Sequence, residues 1–576
     1  MKILKLKINN FRNLNDIEIN FHPDITFLVG ENNLGKSNLL DLLDIIFNKR
    51  HFSEDDFFDK EKPIEIEISL KLEDVEKGIF EDCFDPEQND IVNIRVIQES
   101  SDEDIKYFCK YTEEVIHPLD IKCINFIKYD SLRTPKEELT FYRQRGVGKF
   151  LSYLVKKYFE NQEDLNLESF IKKDSVKGIV DYINYHLEKI EMFEKFKILS
   201  NLEEKVEDLI YRMLTIKDEK GFEIQKLGYG IQFSMLIVLS ILEKIMYLLN
   251  NKRRGRCIYT TEEGKRYISL ILGLDEPEIH LHPYMQRNLI KYINNIISNK
   301  DTNFSKLLKE LFNIDGILGQ AIVVTHSPNI LLNDYKQIVR FYLSEENSIE
   351  VKSGVTIKLD LQEEKHLLMN LPYIKEAFFS KCVIIVEGET ELGALPIWGE
   401  KILGDMDEYG IGVIKAGGKE SIKPLAKLLN SFGIRTVTIK DKDDGKDLDG
   451  YDFITDGKDF EEEIVEKLLS ENKKLLFELI KELDDKSLER SIRKKKLKEI
   501  ADKYGITKNW DDKDYKFSEI ANLSNQNLIR TMFLAWLNIN KSIILGQFIG
   551  KKVETKYIPE PYCNAIIMAM ELSENG

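Results

Sequence analysis

The chain has 576 residues and a net charge of −17, from 83 Lys and Arg against 100 Asp and Glu. At roughly 150 residues per domain, that length is too great for one hydrophobic core and predicts two to four domains. Apolar residues at 43% and charged residues at 32%, with only 31 Gly and 13 Pro, exclude collagen-like and Pro/Gly-rich disordered chains, and the acidic balance excludes a uniformly basic nucleic-acid binder while leaving room for a local positive groove.

Leu4, Leu6 and Ile8 alternate with Lys5 and Lys7, the period of a half-buried strand, and the opening residues lack the long apolar run of a signal peptide. A second strand, 25–29, runs into Gly30-Glu-Asn-Asn-Leu-Gly-Lys-Ser37 and then a helix over 38–47. That octapeptide fits GxxxxGK[ST] in the setting the motif requires, after an apolar strand and before a helix. The amides of Gly30, Asn32, Asn33 and Gly35 and the helix N-terminus would cradle phosphates, Lys36 would reach the β/γ oxygens, and Ser37 would ligate Mg²⁺.

Alternating strands are predicted at 64–72 and 91–97. Over 136–220, long charged-and-apolar segments read as helices, either an inserted arm or dimerisation region or an ordinary helical layer of the same domain. Residues 233–249 form the most apolar stretch; Glu243 and Lys244 near its centre and its short length mark a buried helix rather than a membrane span. A basic loop follows, with Arg253 and Arg254. The apolar run 268–274 closes in Asp275-Glu276, the arrangement of a metal-holding aspartate followed by a carboxylate that polarises the attacking water. A further buried strand leads to His326, placed to touch a γ-phosphate.

Beyond a boundary near Pro372, strand 381–386 ends in EGETE and strand 436–440 ends in DKDD. Two acidic strand ends at one edge of an α/β sheet gather hard oxygen donors suited to Mg²⁺ or Mn²⁺, and Glu387 and Glu391 stand one helical turn apart. Two-metal phosphodiester hydrolysis uses such a cluster; an acidic surface loop is the alternative for the DKDD run. The stretch 461–530 is highly charged and helix-like. Within it Arg490 to Lys498, including Arg493, Lys494, Lys495 and Lys496, is either a path for a DNA backbone or a solvated helix face. Six Cys at 83, 109, 123, 257, 382 and 563 make no CxxC and no disulfide framework, which suits a reducing compartment.

FRNL at 11–14, GENNLGKS at 30–37, DEPEIHLHP at 275–283 and THSP at 325–328 together resemble the ABC-type ATPases related to SMC and RecF proteins, in the branch that includes the OLD (overcoming lysogenization defect) nucleases. The resemblance implies that a signature segment of one protomer completes the ATP site of another. Its match is 227–232, which keeps Gly228, Gly230 and Gln232 but lacks the serine of LSGGQ, a departure that implies slow turnover or a mainly structural site. EGETE and DKDD resemble a Toprim domain. On that resemblance Glu387 is the invariant glutamate, Asp441 and Asp443 the DxD pair, and Glu391 the added glutamate of the OLD nucleases. Asp459 and Glu461 match their further acidic motif, and Lys541 their late lysine.

The implied fold class is α/β: an ABC-type ATPase head (1–135 and 221–372) with a helical insertion (136–220), then a Rossmann-like Toprim domain with helical additions (373–576). The implied function is an ATP-controlled, divalent-metal-dependent DNA endonuclease or nickase in anti-phage defence. It would be a cytoplasmic homodimer or homotetramer with no membrane contact, working beside a UvrD-like helicase, as in Gabija systems, or a retron reverse transcriptase with its DNA product. Two other classes compete: a non-cleaving RecF- or SMC-like DNA-binding repair protein, and a Toprim topoisomerase-like or primase-like enzyme.

Overall fold

The computed structural model describes the chain except for residues 75, 77–79, 81–82, 131–137, 140–145, 161–213, 215, 219, 227, 251–257, 444–448, 484, 521–522 and 575–576. Two units emerge. One holds Met1, 73–79 and 117–321, and the other holds 2–72, 80–116 and 322–576.

The second unit begins with β1 (Lys2–Asn9), β2 (Ile17–Asn20), β3 (Ile25–Gly30) and α1 (Lys36–Asn48), then β4 (Ile64–Lys71), β5 (Ile91–Gln98) and β6 (Lys106–Cys109). Five of these strands form an antiparallel sheet in the order β2-β1-β4-β5-β6. In β1 the predicted alternation holds after a register shift at Leu4: Leu6 and Ile8 pair with Ile68 and Ile66 and are buried, while Lys5 and Lys7 reach Glu18 at the edge. Strand β5, expected to alternate, is instead buried at six of its eight positions. In contrast, all six residues of β3 are buried, the pattern of a strand covered on both faces. The sheet also corrects one expectation. Cys83 and Cys109, 4.9 Å apart at Cα, form a disulfide, because the loop after Phe80 folds back onto β5 and β6 and brings together two thiols 26 residues apart.

The first unit contains β7 (Phe126–Tyr129), α2 (Val147–Glu160), α3 (Tyr229–Asn250), β8 (Ile258–Thr260), β9 (Arg266–Asp275), α4 (Pro283–Ile297) and α5 (Thr302–Phe312). The division between units falls inside β10 (Gly316–Val324). Strand β9 is paired on one side with β7 in parallel and near its start with β8 in antiparallel. By length and composition alone, Gly230–Asn250 would be long and apolar enough to cross a membrane, but 56% of that window is buried inside the protein. Most of the predicted arm, and the loop with Arg253 and Arg254, lie outside the described residues.

The second unit resumes with β11 (Ile338–Leu343), β12 (Ile349–Ser353) and α6 (Leu361–Asn370). Strand β11 pairs in parallel with β3 and antiparallel with β12. Then come β13 (Cys382–Val386), α7 (Glu389–Leu403), β14 (Ile411–Lys415), α8 (Lys419–Ser431), β15 (Arg435–Lys440) and β16 (Phe453–Ile454). Their sheet has the order β14-β13-β15-β16 with every pair parallel, and β13 is buried throughout. Helices α9 (Phe460–Glu471), α10 (Lys473–Leu483), α11 (Lys494–Tyr504), α12 (Gln526–Ile539), α13 (Ile543–Lys552) and α14 (Glu560–Glu574) complete the unit. Trp398, Phe460 and Tyr562 form a buried aromatic trio with ring centroids 5.4 to 5.8 Å apart, tying α7, α9 and α14 together.

Two of these helices, α7 and α13, pack backbone to backbone. A Cβ on Gly393 would lie 2.2 Å from the Ile543 carbonyl oxygen, and one on Gly546 would lie 2.0 Å from that of Thr390. Only glycine permits this spacing, and it holds the segment before α13 against the start of α7.

Candidate active site

Two polar centres lie within the second unit. The first is the loop between β3 and α1. Gly30 takes φ 132° and faces the Phe341 carbonyl so closely that a Cβ would lie 2.1 Å from its oxygen; Asn33 (φ 63°) and Gly35 (φ 87°) complete a left-handed turn into α1. Lys36 is only 4% exposed, and its Nζ donates to the carbonyls of Gly30, at 2.9 Å, and Glu31. The predicted motif residues thus share one loop at the head of one helix.

The FRNL segment supports this loop, a role the sequence does not reveal. Asn13 Nδ2 donates to the Asn33 carbonyl at 3.0 Å, and Asn13 Oδ1 accepts from Asn38 Nδ2 at 2.8 Å. Arg12, itself at φ 45°, donates to Asp56, Asn38 and Asp41 at 2.6 to 2.8 Å. Burial lowers the Arg12 pKa, but the hydrogen bonds to Asp41 and Asp56 outweigh it and raise the pKa. His326, expected at the end of a buried strand, instead lies exposed in the bend after Thr325, whose amide donates to the Leu28 carbonyl at 3.2 Å.

In the first unit, Asp275 ends β9 and Glu276 follows at φ 46°, a left-handed conformation uncommon for a glutamate. The signature segment starts α3. Gly228 is exposed, whereas Gly230 is packed so that a Cβ would lie 3.1 Å from Leu281, and Gln232 is buried.

The second centre stands at the carboxyl ends of β13 and β15, where open α/β sheets bind ligands. Glu387 and Asp441 follow the two central strands directly, and the Asp441 amide hydrogen-bonds the Glu387 carboxylate. Glu391 lies in the first turn of α7, where its Oε1 accepts from the Gly388 amide at 3.3 Å. Glu461, in the first turn of α9, accepts from Thr390 Oγ1 at 3.3 Å. Asp443, at φ 47°, lies 3.3 Å from Lys419 Nζ. Between α12 and α13, Lys541 reaches back across 80 residues to pair with Glu461 at 2.5 Å, with Asp459 3.7 Å away.

These groups act on one another. Burial pushes the Asp441 carboxyl well above its ordinary value, and Glu391, Glu387, Asp459 and Glu461 push it further. Burial raises Glu387 too, with Asp443 adding to the effect. Glu391 and Glu461 also rise, burial again being the largest cause; at Glu461 it exceeds the opposing pull of Lys541. Lys541 rises in turn, because its carboxylate neighbours outweigh the burial that would lower it. The site is therefore a repelling acidic cluster with one lysine drawn in.

Asp459 is the exception. Burial would raise it, but Lys503, Lys541 and Tyr504 outweigh that and hold it below its ordinary value. Its Oδ2 accepts from Lys503 Nζ and from Tyr504 OH, both at 2.7 Å; Asn538 bonds both donors, at 3.0 and 2.8 Å. Its other oxygen caps α9 through the Glu462 amide. Lys503 and Tyr504 end α11, the helix that Arg493 caps and that starts with Lys494, Lys495 and Lys496. Most of this basic run is exposed, but Lys494 lies 3.6 Å from Asp512 and Lys496 3.3 Å from Glu499, so the sequence's uninterrupted positive run is partly answered in space.

Among the described residues, no group of three or more His, Cys, Asp or Glu side chains is gathered tightly enough to hold a metal ion as placed. The donor chemistry nevertheless fits a hard cation. Glu387 Oε2 is buried without a hydrogen-bond partner, and a divalent ion would relieve the repulsion centred on Asp441.

Comparisons with known proteins cover both stretches of the chain. Residues 25–333 match the family described as "AAA domain, putative AbiEii toxin, Type IV TA system", and residues 378–443 match "Overcoming lysogenization defect protein-like, TOPRIM domain". The Old nuclease of Escherichia phage P2 is 23% identical over 77% of this chain and 77% of its own length. Endonuclease GajA of Bacillus cereus (strain HuB5-5) is 24% identical over 66% of this chain and 65% of its own. Among solved structures, the C-terminal region of the Burkholderia pseudomallei OLD protein aligns with 34% of this chain and 99% of its own, at 18% identity and a TM-score of 0.23. The chain belongs to this AAA-domain family and joins its ATPase domain to an OLD-like Toprim nuclease domain.

Proposed function

We propose that the protein is an ATP-controlled, divalent-metal-dependent DNA endonuclease or nickase. The observation that carries this reading is the acidic cluster at the ends of β13 and β15 with Lys541 inserted into it. Glu387, Glu391, Asp441, Asp443 and Glu461 would hold Mg²⁺ or Mn²⁺. The ions would supply an activated water and neutralise charge on the leaving oxygen of a phosphodiester, as in two-metal hydrolysis.

The chain's own residues do the rest. Asp459, held by Lys503 and Tyr504, keeps the first turn of α9 and hence Glu461 in place. Lys541, protonated beside Glu461, offers positive charge to a phosphate at the cluster. The exposed start of α11, Arg493 to Lys496, leads a DNA backbone toward the same helix's far end, where Lys503 and Tyr504 touch Asp459. In the ATPase part, Lys36 and Ser37 would bind phosphates and Mg²⁺, and Asp275 and Glu276 keep the roles expected of them, a metal-holding aspartate and a carboxylate that polarises water. The relatives named Old nuclease and endonuclease GajA support the nuclease reading, and defence against foreign DNA is the role proposed for it. A homo-oligomer in the cytoplasm, with ATPase residues 1–135 and 221–372, an arm at 136–220 and nuclease residues 373–576, completes the proposal.

Supercoiled plasmid incubated with the protein and Mg²⁺ or Mn²⁺ tests it. Nicked and linear DNA is the expected product. Unchanged plasmid would favour a non-cleaving DNA-binding protein, and relaxed closed topoisomers a topoisomerase-like one.

A further inference from the structure

Strand β11 stands directly beside the nucleotide loop. It pairs in parallel with β3, Arg340 opposite Val29 and Phe341 opposite Gly30, the first residue of the loop motif. The Gly30 contact leaves no slack, since even a Cβ there would strike the Phe341 carbonyl. Any displacement of the loop's first residue is therefore passed to β11.

The Arg340 side chain points the other way and is 2% exposed. Its guanidinium donates from Nε to the Phe378 carbonyl at 3.2 Å, from Nη1 to the Phe432 carbonyl at 3.2 Å, and from Nη2 to the Ser380 carbonyl at 2.8 Å. Phe378 and Ser380 lie just before β13, and Phe432 lies just before β15. Those are the two strands whose far ends carry Glu387 and Asp441. The Phe378 and Phe432 rings meet edge to face at 5.2 Å, and the Arg435 amide donates to the Lys381 carbonyl at 3.1 Å, so the two strand roots are also joined to each other.

A buried guanidinium answered by carbonyls is an expensive way to fill space, and an apolar side chain would do that at lower cost. Burial pulls the Arg340 pKa down to about 10, against the opposing influence of Glu31, the second residue of the loop motif. A weaker link runs in parallel on the surface, where Lys381 Nζ lies 3.9 Å from Glu31 Oε1. Beside these residues a cavity of about 190 Å³, lined in part by Glu31, Arg340, Lys381 and Arg435, gives the Glu31 side chain room to move.

We infer that Arg340 is a positioning residue that ties the nucleotide loop to the roots of β13 and β15, so that occupancy of the loop shifts the carboxylates at their far ends. The inference deepens the nuclease reading and rests on it for its consequence, though not for its mechanics. Five-residue β13 spans about 16 Å as an extended strand, so a small tilt at its root is carried to Glu387. Arginine suits the task because its planar fork fixes three acceptors at once, which a lysine ammonium cannot do in the same geometry.

The test uses the full chain and Arg340→Lys, with a non-hydrolysable ATP analogue as the probe. In the wild type, the analogue should change the rate of plasmid cleavage by about fivefold or more in one direction. In Arg340→Lys, that ratio should fall close to one while the analogue's affinity stays near wild type. Hydrogen exchange provides a second readout that needs no cleavage. The analogue should alter exchange in peptides covering 382–387 and 435–441 in the wild type and leave them unaltered in the variant. If Arg340→Lys does not fold, Lys381→Ala, at a half-buried site, should still lower the ratio at least about twofold. A wild-type ratio of one with unaltered exchange, or a variant that keeps the wild-type response, would overturn the inference. Absence of cleavage in the wild type, with the exchange response present and lost in the variant, would overturn the nuclease reading alone.

Discussion

Lys36 and Lys541 are each drawn into a polar centre of the same structural unit, but different partners hold them. Lys36 bonds the carbonyls of Gly30 and Glu31, six and five residues away in its own loop. Lys541 pairs with a carboxylate 80 residues upstream, in a site where four further acids repel one another. The loop is complete in itself: backbone turns fixed by Gly30, Asn33 and Gly35 make the cradle, and an incoming phosphate exchanges one set of lysine acceptors for a stronger one. The carboxylate centre would take a cation on the proposed reading, and its parts are held in place by helix packing rather than by a single loop. One centre is held by its own backbone; the other is a set of acids that repel one another.

That contrast predicts separable losses. The largest should come from Glu387→Ala or Asp441→Ala, each lowering plasmid cleavage about a thousandfold or more while nucleotide affinity is unchanged. Parallel gel assays and nucleotide titrations would measure both, and cleavage near the wild-type rate in either variant would remove the acidic cluster from the chemistry. Lys36→Ala should do the converse, weakening nucleotide binding roughly tenfold to a hundredfold while leaving cleavage without nucleotide intact.

A smaller effect concerns stability. Lys541→Met strips Glu461, 2% exposed, of its cation, but the Lys541 side chain is 43% exposed, so solvent screens part of the loss. A cost of about 1–2 kcal/mol is expected, read as a lower midpoint in urea. Adding Glu461→Gln should recover most of it, because the uncompensated charge is then gone. A double variant no more stable than Lys541→Met would show that the pair is not what holds this segment.

The smallest effect is a pH dependence. Carboxyls whose pKa is higher in the folded state than in the unfolded chain contribute stability while protonated, and that stability is lost as pH rises through the folded value. Glu391 moves from 4.5 to about 7, so metal-free protein should lose stability between about pH 4.5 and 7 on its account. Mg²⁺ should then raise the melting temperature more at pH 8 than at pH 5. Equal shifts at both pH values would place the ion elsewhere.

The same contrast decides what was legible in the sequence. The phosphate loop is contiguous, so its spacing alone identified it, and β4 kept its predicted alternation, whereas β5 is buried at six of its eight positions. Glu387 and Asp441 were legible because each follows an apolar run of strand length. Lys503, Tyr504 and Asn538 were not, since they converge on Asp459 from 44 to 79 residues away through the packing of α9, α11 and α12. Arg340 carries no signal in the sequence, and only the fold reveals that its partners are the roots of two other strands. The Cys83–Cys109 pairing escaped for the same reason: its spacing matches no motif, and the turn that closes it is tertiary.

The late position of Lys541 also sets an order of events during synthesis. Glu387 and Asp441 emerge on their strands first, and another 100 residues must follow Asp441 before Lys541 exists. At ~5–20 residues per second, that interval lasts about 5 to 20 s. Throughout it the nascent chain carries the acidic cluster without its lysine and without the glycine contact of Gly393 with α13 that seats the segment. The full centre is thereby kept from assembling until most of the chain has been made, a delay written into the sequence by the distance between partners.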